Sequence, residues 1–261
     1  MLSVIHFGCW LEYQRLVGLI DPSYTQITTF HKYGVMLAGW CIMLFFSKNL
    51  YNIGNTSLHV IGYWGGLILL FVLPAFEVLF VRKLNFKNIG HSIFGLLYIS
   101  LSLGLLINLG STRGMFSDTF LNFVDRVPVL IIIGAIWIND TMAYILGSLI
   151  GKTPMTSISP KKTWEGTISG IVLSIIIMGG VIGYSISNEY DLENISYWVI
   201  IAAIASIAGT FGDLLQSKLK RLAGVKDSGN IMPGHGGFLD RFDSLLLAAP
   251  FVWLYIVLFV D

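Results

Sequence analysis

Eight apolar runs interrupt this chain, at roughly 1–11, 33–47, 58–81, 88–110, 128–150, 167–187, 197–215 and 244–260. Several approach the ~20 residues a helix needs to cross a ~30 Å hydrocarbon core. Inside lipid no water is available to backbone N–H and C=O groups, so each span has to satisfy them internally and fold as a helix. The period-two alternation of a membrane barrel is absent. The expected fold is therefore an all-α polytopic membrane protein of about eight transmembrane helices. Composition agrees: 12% of the 261 residues are charged, about half the roughly 25% of a soluble domain. Mean hydropathy is +0.75. We expect residues 1–127 to form N-terminal membrane helices and residues 128–261 a catalytic membrane region.

The first run is the exception. Eleven residues rise only about 16 Å, roughly half the core. Either this segment is half-buried, with the first helix short or truncated, or Met1 lies inside a longer reading frame. No basic stretch and no small-residue cleavage site precede Glu12, so a cleavable leader is not expected. Cys9 and Cys41 sit in apolar stretches without metal-ligand spacing and read as small buried hydrophobes. The net charge of +1 and the lack of a basic-aromatic patch give no nucleic-acid partner. Trp10, Trp164, Trp198, Tyr33, Tyr51 and Tyr197 lie near span ends, where interfacial aromatics gather.

Orientation follows from the distribution of Lys and Arg. One set of alternate loops holds thirteen, among them Arg15, Lys32, Lys87, Lys161, Lys162, Lys220 and Arg241, and the opposite set holds three. The positive-inside rule then puts the loops 151–166 and 216–243 together on the cytoplasmic face, with the C-terminus outside. The expected location is a bacterial inner membrane.

A carboxylate inside a span costs at least ~2.5–3.5 kcal/mol on insertion scales and usually turns to the bundle interior. Asp140, preceded by Asn139, is such a residue; it faces substrate or ion, or accepts a hydrogen bond from a neighbouring helix. Tyr144 and Gly147, one and two turns on, share its face. Glu77, ~7.5 Å along the helix from Arg82-Lys83, reads as a structural residue that snorkels or pairs with that basic pair. His59 and His91 are single histidines at span ends and read as interfacial or packed.

Two loops carry the chemistry. In Ser159-Pro-Lys-Lys-Thr-Trp-Glu-Gly166, two lysines precede a helix start, where free N–H groups and the positive dipole end suit a phosphate. Ordinary positive-inside anchoring accounts for the composition equally well. In the stretch from Gly212 to Ser244, Asp213 ends one span while Asp240 and Asp243 precede the next. Converging carboxylates are the oxygen ligands Mg²⁺ takes, with phosphate oxygens completing the shell. Lys218, Lys220, Arg221, Lys226 and Arg241 offer phosphate donors. The turn Pro233-Gly234-His235-Gly236-Gly237 lets backbone approach a ligand, and His235 is a candidate acid/base or phosphate donor.

The run Ser217, Lys220-Arg221, Lys226-Asp227, Gly229, Pro233, His235-Gly236-Gly237, Asp240-Arg241 and Asp243 resembles the signature of the phosphatidate cytidylyltransferases, or CDP-diacylglycerol synthases. Ser159–Gly166 and Asp140-Thr-Met-Ala-Tyr144 are similar to that family's two upstream motifs. The resemblance is dense over 128–250; before that it is a hydrophobic pattern with Glu12-Tyr13. It implies transfer of a cytidylyl group from CTP to phosphatidic acid, giving CDP-diacylglycerol and pyrophosphate, in a membrane homodimer. The implied cofactor is Mg²⁺ (or Mn²⁺), in a two-metal site with K⁺, with Asp213 and Asp240 as ligands. The catalytic set is then Asp213, Lys226, Asp227, His235, Asp240, Arg241 and Asp243. The phosphate-binding set is Ser159, Lys161, Lys162, Ser217, Lys220, Arg221, Gly236 and Gly237, with Asp140 and Tyr144 as intramembrane polar contributors. Two other readings compete: a CTP-using lipid kinase, which transfers the γ-phosphate, and a transporter with Asp140 in its path. The transporter predicts repeats and broken helices that the sequence lacks.

Overall fold

A computed structural model describes residues 1–48, 52–54, 56–80, 85–110, 127–186, 192–229 and 236–260. They are almost entirely helical: α1 (Leu2–Ile20), α2 (Thr29–Phe45), α3 (Leu58–Phe80), α4 (Phe86–Gly95), α5 (Ser102–Leu109), α6 (Val127–Ile150), α7 (Trp164–Ser174), α8 (Gly183–Ile186), α9 (Leu192–Leu222) and α10 (Leu239–Phe259). π-Helical segments, Leu96–Leu101 and Ile175–Ile182, join α4 to α5 and α7 to α8. The short strands β1 (Asn52–Ile53) and β2 (Thr56–Ser57) pair antiparallel.

Among the described residues six helical rods are long and apolar enough to cross a membrane: Leu58–Phe80, Phe86–Leu109, Val127–Ile150, Trp164–Ser185, Ile195–Leu222 and Leu239–Phe259. The chain is an integral membrane protein on that ground. The first expected span is not an eleven-residue stub but a helix of 19 residues. It continues through Glu12, Tyr13 and Gln14 because all three are buried and hydrogen-bonded.

The chain divides into two compact units, Met1–Ser111 with Leu219–Arg241, and Thr112–Lys218 with Phe242–Asp261. In the first, α1 is buried along one side through Cys9, Trp10, Tyr13 and Leu16, and Ile99 and Leu103 add to the core. Trp10 Nε1 donates to Ser100 Oγ at 2.8 Å, and His6 Nε2 lies 2.9 Å from the same oxygen. Trp10 and Trp198, expected at the interface, are 0% and 1% exposed. Trp10 stacks edge-on against Tyr13, and a Cβ on Gly183 would strike the Trp198 ring; burying these large rings outweighs an interfacial position.

A second polar group ties the chain ends of α1–α4 together. Asp21 Oδ2 pairs with Lys87 at 2.9 Å and lies 3.5 Å from His91, and its Oδ1 accepts from Ser23 N. Glu77 pairs with His31 at 2.7 Å, whose other ring nitrogen is 2.8 Å from Ser92 Oγ. The expected partners of Glu77, Arg82 and Lys83, lie outside the described residues.

In the second unit, α6 and α7 approach through small residues. Ala143 and Gly147 on α6 meet Gly166 and Gly170 on α7, and Gly151, just past the end of α6, lies against Thr163. A Cβ at Gly166 would sit 2.6 Å from both the Ala143 carbonyl and Gly147 Cα. Without a hydrophobic force between helices in lipid, such close backbone contact and internal polar pairs hold them together. Ser174 Oγ on α7 donates to the Ala135 carbonyl of α6 at 2.8 Å, and both helices are tied to α9, by Asn139 Nδ2 to Thr210 Oγ1, 3.0 Å, and Ser174 Oγ with Ser206 Oγ, 2.7 Å.

Two predictions follow from this packing. Gly166→Val forces backbone apart and should cost about 1–3 kcal/mol, the usual range for overpacking, seen as a lower Tm in detergent; Ile168→Val, at an exposed position, serves as the unchanged control. The Lys87 ammonium, followed by Ser23, holds the Asp21 carboxyl below the ordinary carboxylate range. Its stabilisation is therefore complete above the unfolded value of about 3.9 and fades as pH falls below it. The Tm difference between wild type and Asp21→Asn should stay constant from pH 7 to 5 and shrink below about pH 4.

Candidate active site

In the second unit, residues 151–163 fold back on themselves: Met155 N donates to Lys162 O, Trp164 N to Thr153 O, and Lys162 N to Ser159 O. Glu165, in the first turn of α7, accepts from Lys152 N, Thr153 N and Thr153 Oγ1, and Thr163 Oγ1 caps the helix through Gly166 N. This turn aims Lys162 at Asp213 on α9, with which it forms an ion pair. Ser217, one turn on, donates to the other Asp213 oxygen at 3.3 Å. Asp140 on α6 interacts electrostatically with both Lys162 and Asp213. Residues from three separate motifs thus converge on one cluster. On α6 it is Asn139 that turns into the helix packing, while Asp140 emerges beside the lysine. Lys161 is exposed in the same turn, and Ser159 is engaged through its backbone N–H to Thr156 Oγ1. Tyr144 is 78% exposed on α6. Asp243 is buried and accepts from Ser244 N at 2.7 Å.

In the first unit, the loop after α9 and the start of α10 form a second cluster. Lys220 Nζ donates to Asp240 Oδ1 at 2.7 Å. Asp240 Oδ2 accepts from Ser228 N at 2.8 Å, Ser228 Oγ at 2.9 Å and Gly237 N at 3.0 Å. Gly236 takes φ +79°, and a Cβ there would be 2.9 Å from Asp240 Oδ2, so the turn requires glycine on both counts. Arg221 folds back to the Val225 carbonyl at 3.4 Å. Arg241, Lys226 and Asp227 are exposed. His235 lies outside the described residues.

Glu12 completes this second cluster. The residue is 5% exposed, and its carboxylate accepts from Phe238 N at 2.9 Å, Leu239 N at 2.9 Å and Ser228 Oγ at 2.6 Å. Those two N–H groups open α10, where free donors and the helix dipole favour an anion. A Cβ on Gly229 or Gly237 would come within 2.3 Å of the carboxylate oxygens, so both positions must be glycine for it to enter. Ser228 Oγ stands between Glu12 and Asp240, and its single proton serves one carboxylate at a time. In the sequence Glu12 stands out only through the resemblance; the available signal is a lone carboxylate within the first, largely apolar helix.

Mg²⁺ takes one or two carboxylates together with phosphate oxygens and water. Among the described residues no three His, Cys, Asp or Glu side chains gather as a metal cage. Asp213 is part-exposed, with Lys162 on one oxygen and Ser217 on the other, so taking up such an ion requires displacing Lys162. Asp240, the other expected ligand, has both oxygens engaged by donors, and serving a metal requires exchanging Lys220 from Oδ1.

The fold is that of an integral membrane protein, and each cluster sets a lysine against an aspartate. The cytidylyltransferase family matches residues 1–259, and the chain belongs to that family. It is 31% identical over 225 residues to a phosphatidate cytidylyltransferase of Bacillus subtilis, covering 86% of this chain and 77% of the relative. It is 34% identical over 190 residues to one from Staphylococcus saprophyticus, 72% and 66% covered. Against that of Synechocystis it is 43% identical over 142 residues, 52% and 46% covered, so the match spans about half of that relative's length.

Replacing Glu12 by Ala leaves two N–H groups at the start of α10 without their acceptor, at about 1–3 kcal/mol for each if it stays dry. Hydrogen exchange should rise selectively at the Phe238 and Leu239 amides, with Glu12→Gln intermediate, while the amides of α6 keep their protection.

Proposed function

We propose that the chain transfers a cytidylyl group from CTP to phosphatidic acid, releasing pyrophosphate and forming CDP-diacylglycerol. The observation that carries the reading is the convergence of Asp140, Lys162 and Asp213. Three motifs far apart in sequence contribute to one cation–carboxylate cluster, in a chain whose family transfers cytidylyl groups.

The reaction joins two anions. The lipid phosphate attacks the α-phosphorus of CTP in line and pyrophosphate leaves, so catalysis rests on positioning and charge neutralisation. Lys162 already sits against Asp213; with a phosphate present, its ammonium donates to phosphate oxygen and frees the carboxylate. Lys161 and Ser159, in the same turn, offer further donors. In the other unit, Lys220 is held at Asp240 in the same ready manner, and Arg221 and Lys226 extend the positive surface. The Ser228–Asp240–Gly237 bonds fix the backbone of that loop, so Lys220 meets its anion without reorganisation. The lipid phosphate serves as nucleophile itself, and no side chain forms a covalent intermediate. Mg²⁺ or Mn²⁺, when bound, polarises phosphate oxygens and stabilises the leaving pyrophosphate; Asp213 would hold it, with Asp140 adjacent.

A water-soluble and a lipid substrate meet best at the membrane surface. The excess of Lys and Arg in the alternate loops supports a cytoplasmic position for 151–166 and 216–243 in a bacterial inner membrane. A companion K⁺ and a homodimer come from the family resemblance, and a K⁺-dependence assay and sizing in detergent address them.

Purified protein in detergent with CTP, phosphatidic acid and Mg²⁺ should release pyrophosphate and place label from α-³²P-CTP, not γ-³²P-CTP, in the lipid. Lys162→Ala and Asp213→Ala should each lower kcat/KM by about 10²–10³-fold, the usual cost of removing one electrostatic contributor. γ-Label in the lipid would make the protein a kinase, and full activity of both variants would remove this cluster from the chemistry.

A further inference from the structure

Within the first unit, a groove of about 390 Å³ runs between the C-terminal half of α1, the turn Pro22–Gln26 and the start of α2. Two cations, Arg15 and Lys32, line it, together with Leu11, Leu19 and Ile27. No Asp or Glu does. The carboxylate close by in sequence, Asp21, is engaged by Lys87, His91 and Ser23. Neither Arg15 nor Lys32 has an ion-pair partner among the described residues, and Lys32 Nζ lies 5.9 Å over the Tyr33 ring. Leaving two cations without counter-ions beside an apolar wall is what a site for an external anion requires.

The groove is built rather than incidental. Gln14 Nε2 donates to the Lys32 carbonyl at 2.9 Å, tying α1 to α2. That bond fixes the amide orientation and leaves Gln14 Oε1 buried without a donor. It is an acceptor available to either cation as it turns inward. Thr25 Oγ1 donates to Pro22 O at 2.7 Å, and a Cβ on Gly18 would be 3.1 Å from Thr25 Cγ2. The apolar side opens outward, Leu11 and Leu19 being 48% and 50% exposed on α1. Along α1, Arg15 lies three residues, ~4.5 Å of rise, beyond Glu12, whose carboxylate seats the start of α10.

We propose that this groove binds the headgroup of the phospholipid substrate, with its phosphate monoester between Arg15 and Lys32 and its acyl chains along Leu11, Leu19 and Ile27. Against the nucleotide as occupant, the outward wall of Leu11, Leu19 and Ile27 is aliphatic and suits acyl chains, while the polar lining is confined to Gln14, Tyr24, Thr25 and the two cations. The unpaired cations exclude a neutral lipid. A monoester dianion draws more from two cations than a diester does, so the site prefers phosphatidate over the bulk diester phospholipids around it. This assignment rests on the cytidylyltransferase reading and specifies where its lipid substrate is held.

The test combines kinetics in mixed micelles with direct lipid binding by native mass spectrometry, on wild type, Arg15→Ala, Lys32→Ala, the double variant and Arg15→Lys. The KM for phosphatidic acid should rise about tenfold in each single alanine variant and further in the double, while the KM for CTP stays within twofold. Arg15→Lys should recover part of the loss, which a merely structural role would not show. Retained phosphatidate adducts should fall in the double variant, with phosphatidylcholine adducts unchanged and inorganic phosphate at millimolar concentration competing weakly. Equal KM for the lipid in all variants, an equal rise in both KM values, or undiminished phosphatidate adducts would overturn the proposal. Absence of turnover in wild type strikes instead at the functional reading, and the adduct measurement then still decides whether the groove binds a phosphate monoester lipid.

Discussion

A buried carboxylate in an apolar helix is stable only where donors surround it, and the seat of Glu12 meets that demand with unusual economy of parts. Two backbone N–H groups, one serine hydroxyl and the positive end of α10 receive it. Because those donors belong to the loop that also carries Lys220 and Asp240, satisfying one costly charge sets the backbone of the charged segment. Asp240 repeats the pattern with Ser228 and Gly237. The loop is held by carboxylates from two different helices, sharing one serine, rather than by a hydrophobic core of its own.

The glycines of that loop have a related meaning. Gly229 and Gly237 are where the Glu12 carboxylate enters, and Gly236 supplies a positive φ beside Asp240. In the second unit the glycines do something else: Gly147, Gly166 and Gly170 bring α6 and α7 into backbone contact, which carries the turn bearing Lys162 toward Asp213. In both places small residues exchange conformational freedom for proximity, and polar groups use that proximity. A membrane protein relies on this more than a soluble one, since burial against lipid gives helices little reason to associate.

Much of the architecture was legible from the chain. Apolar runs of near-membrane length mark the rods, because lipid leaves helices as the only economical single-segment solution. Asp213, Lys162, Ser217, Lys220 and Asp240 stood out as charges or donors concentrated around span ends, and they form the ion pairs and hydrogen bonds described above. The interfacial reading of Trp10 and Trp198 did not hold, because proximity to a span end cannot distinguish a ring facing the headgroups from one packed against another helix. The pairing of Glu77 with His31 was equally hidden: the two are 46 residues apart, and only the packing of α2 on α3 brings them together.

By itself, then, the sequence determined the environment, the helical class and the residue types available for phosphate chemistry, since hydropathy and charge are local properties that each segment carries with it. Tertiary structure decided which charges meet. Asp140 beside Lys162 and Asp213, Glu12 within the cradle at α10, and two cations across the α1–α2 groove without ion-pair partners among the described residues all depend on how rods pack. That packing is set by small-residue contacts and buried hydrogen bonds between distant segments, which no single stretch of sequence records.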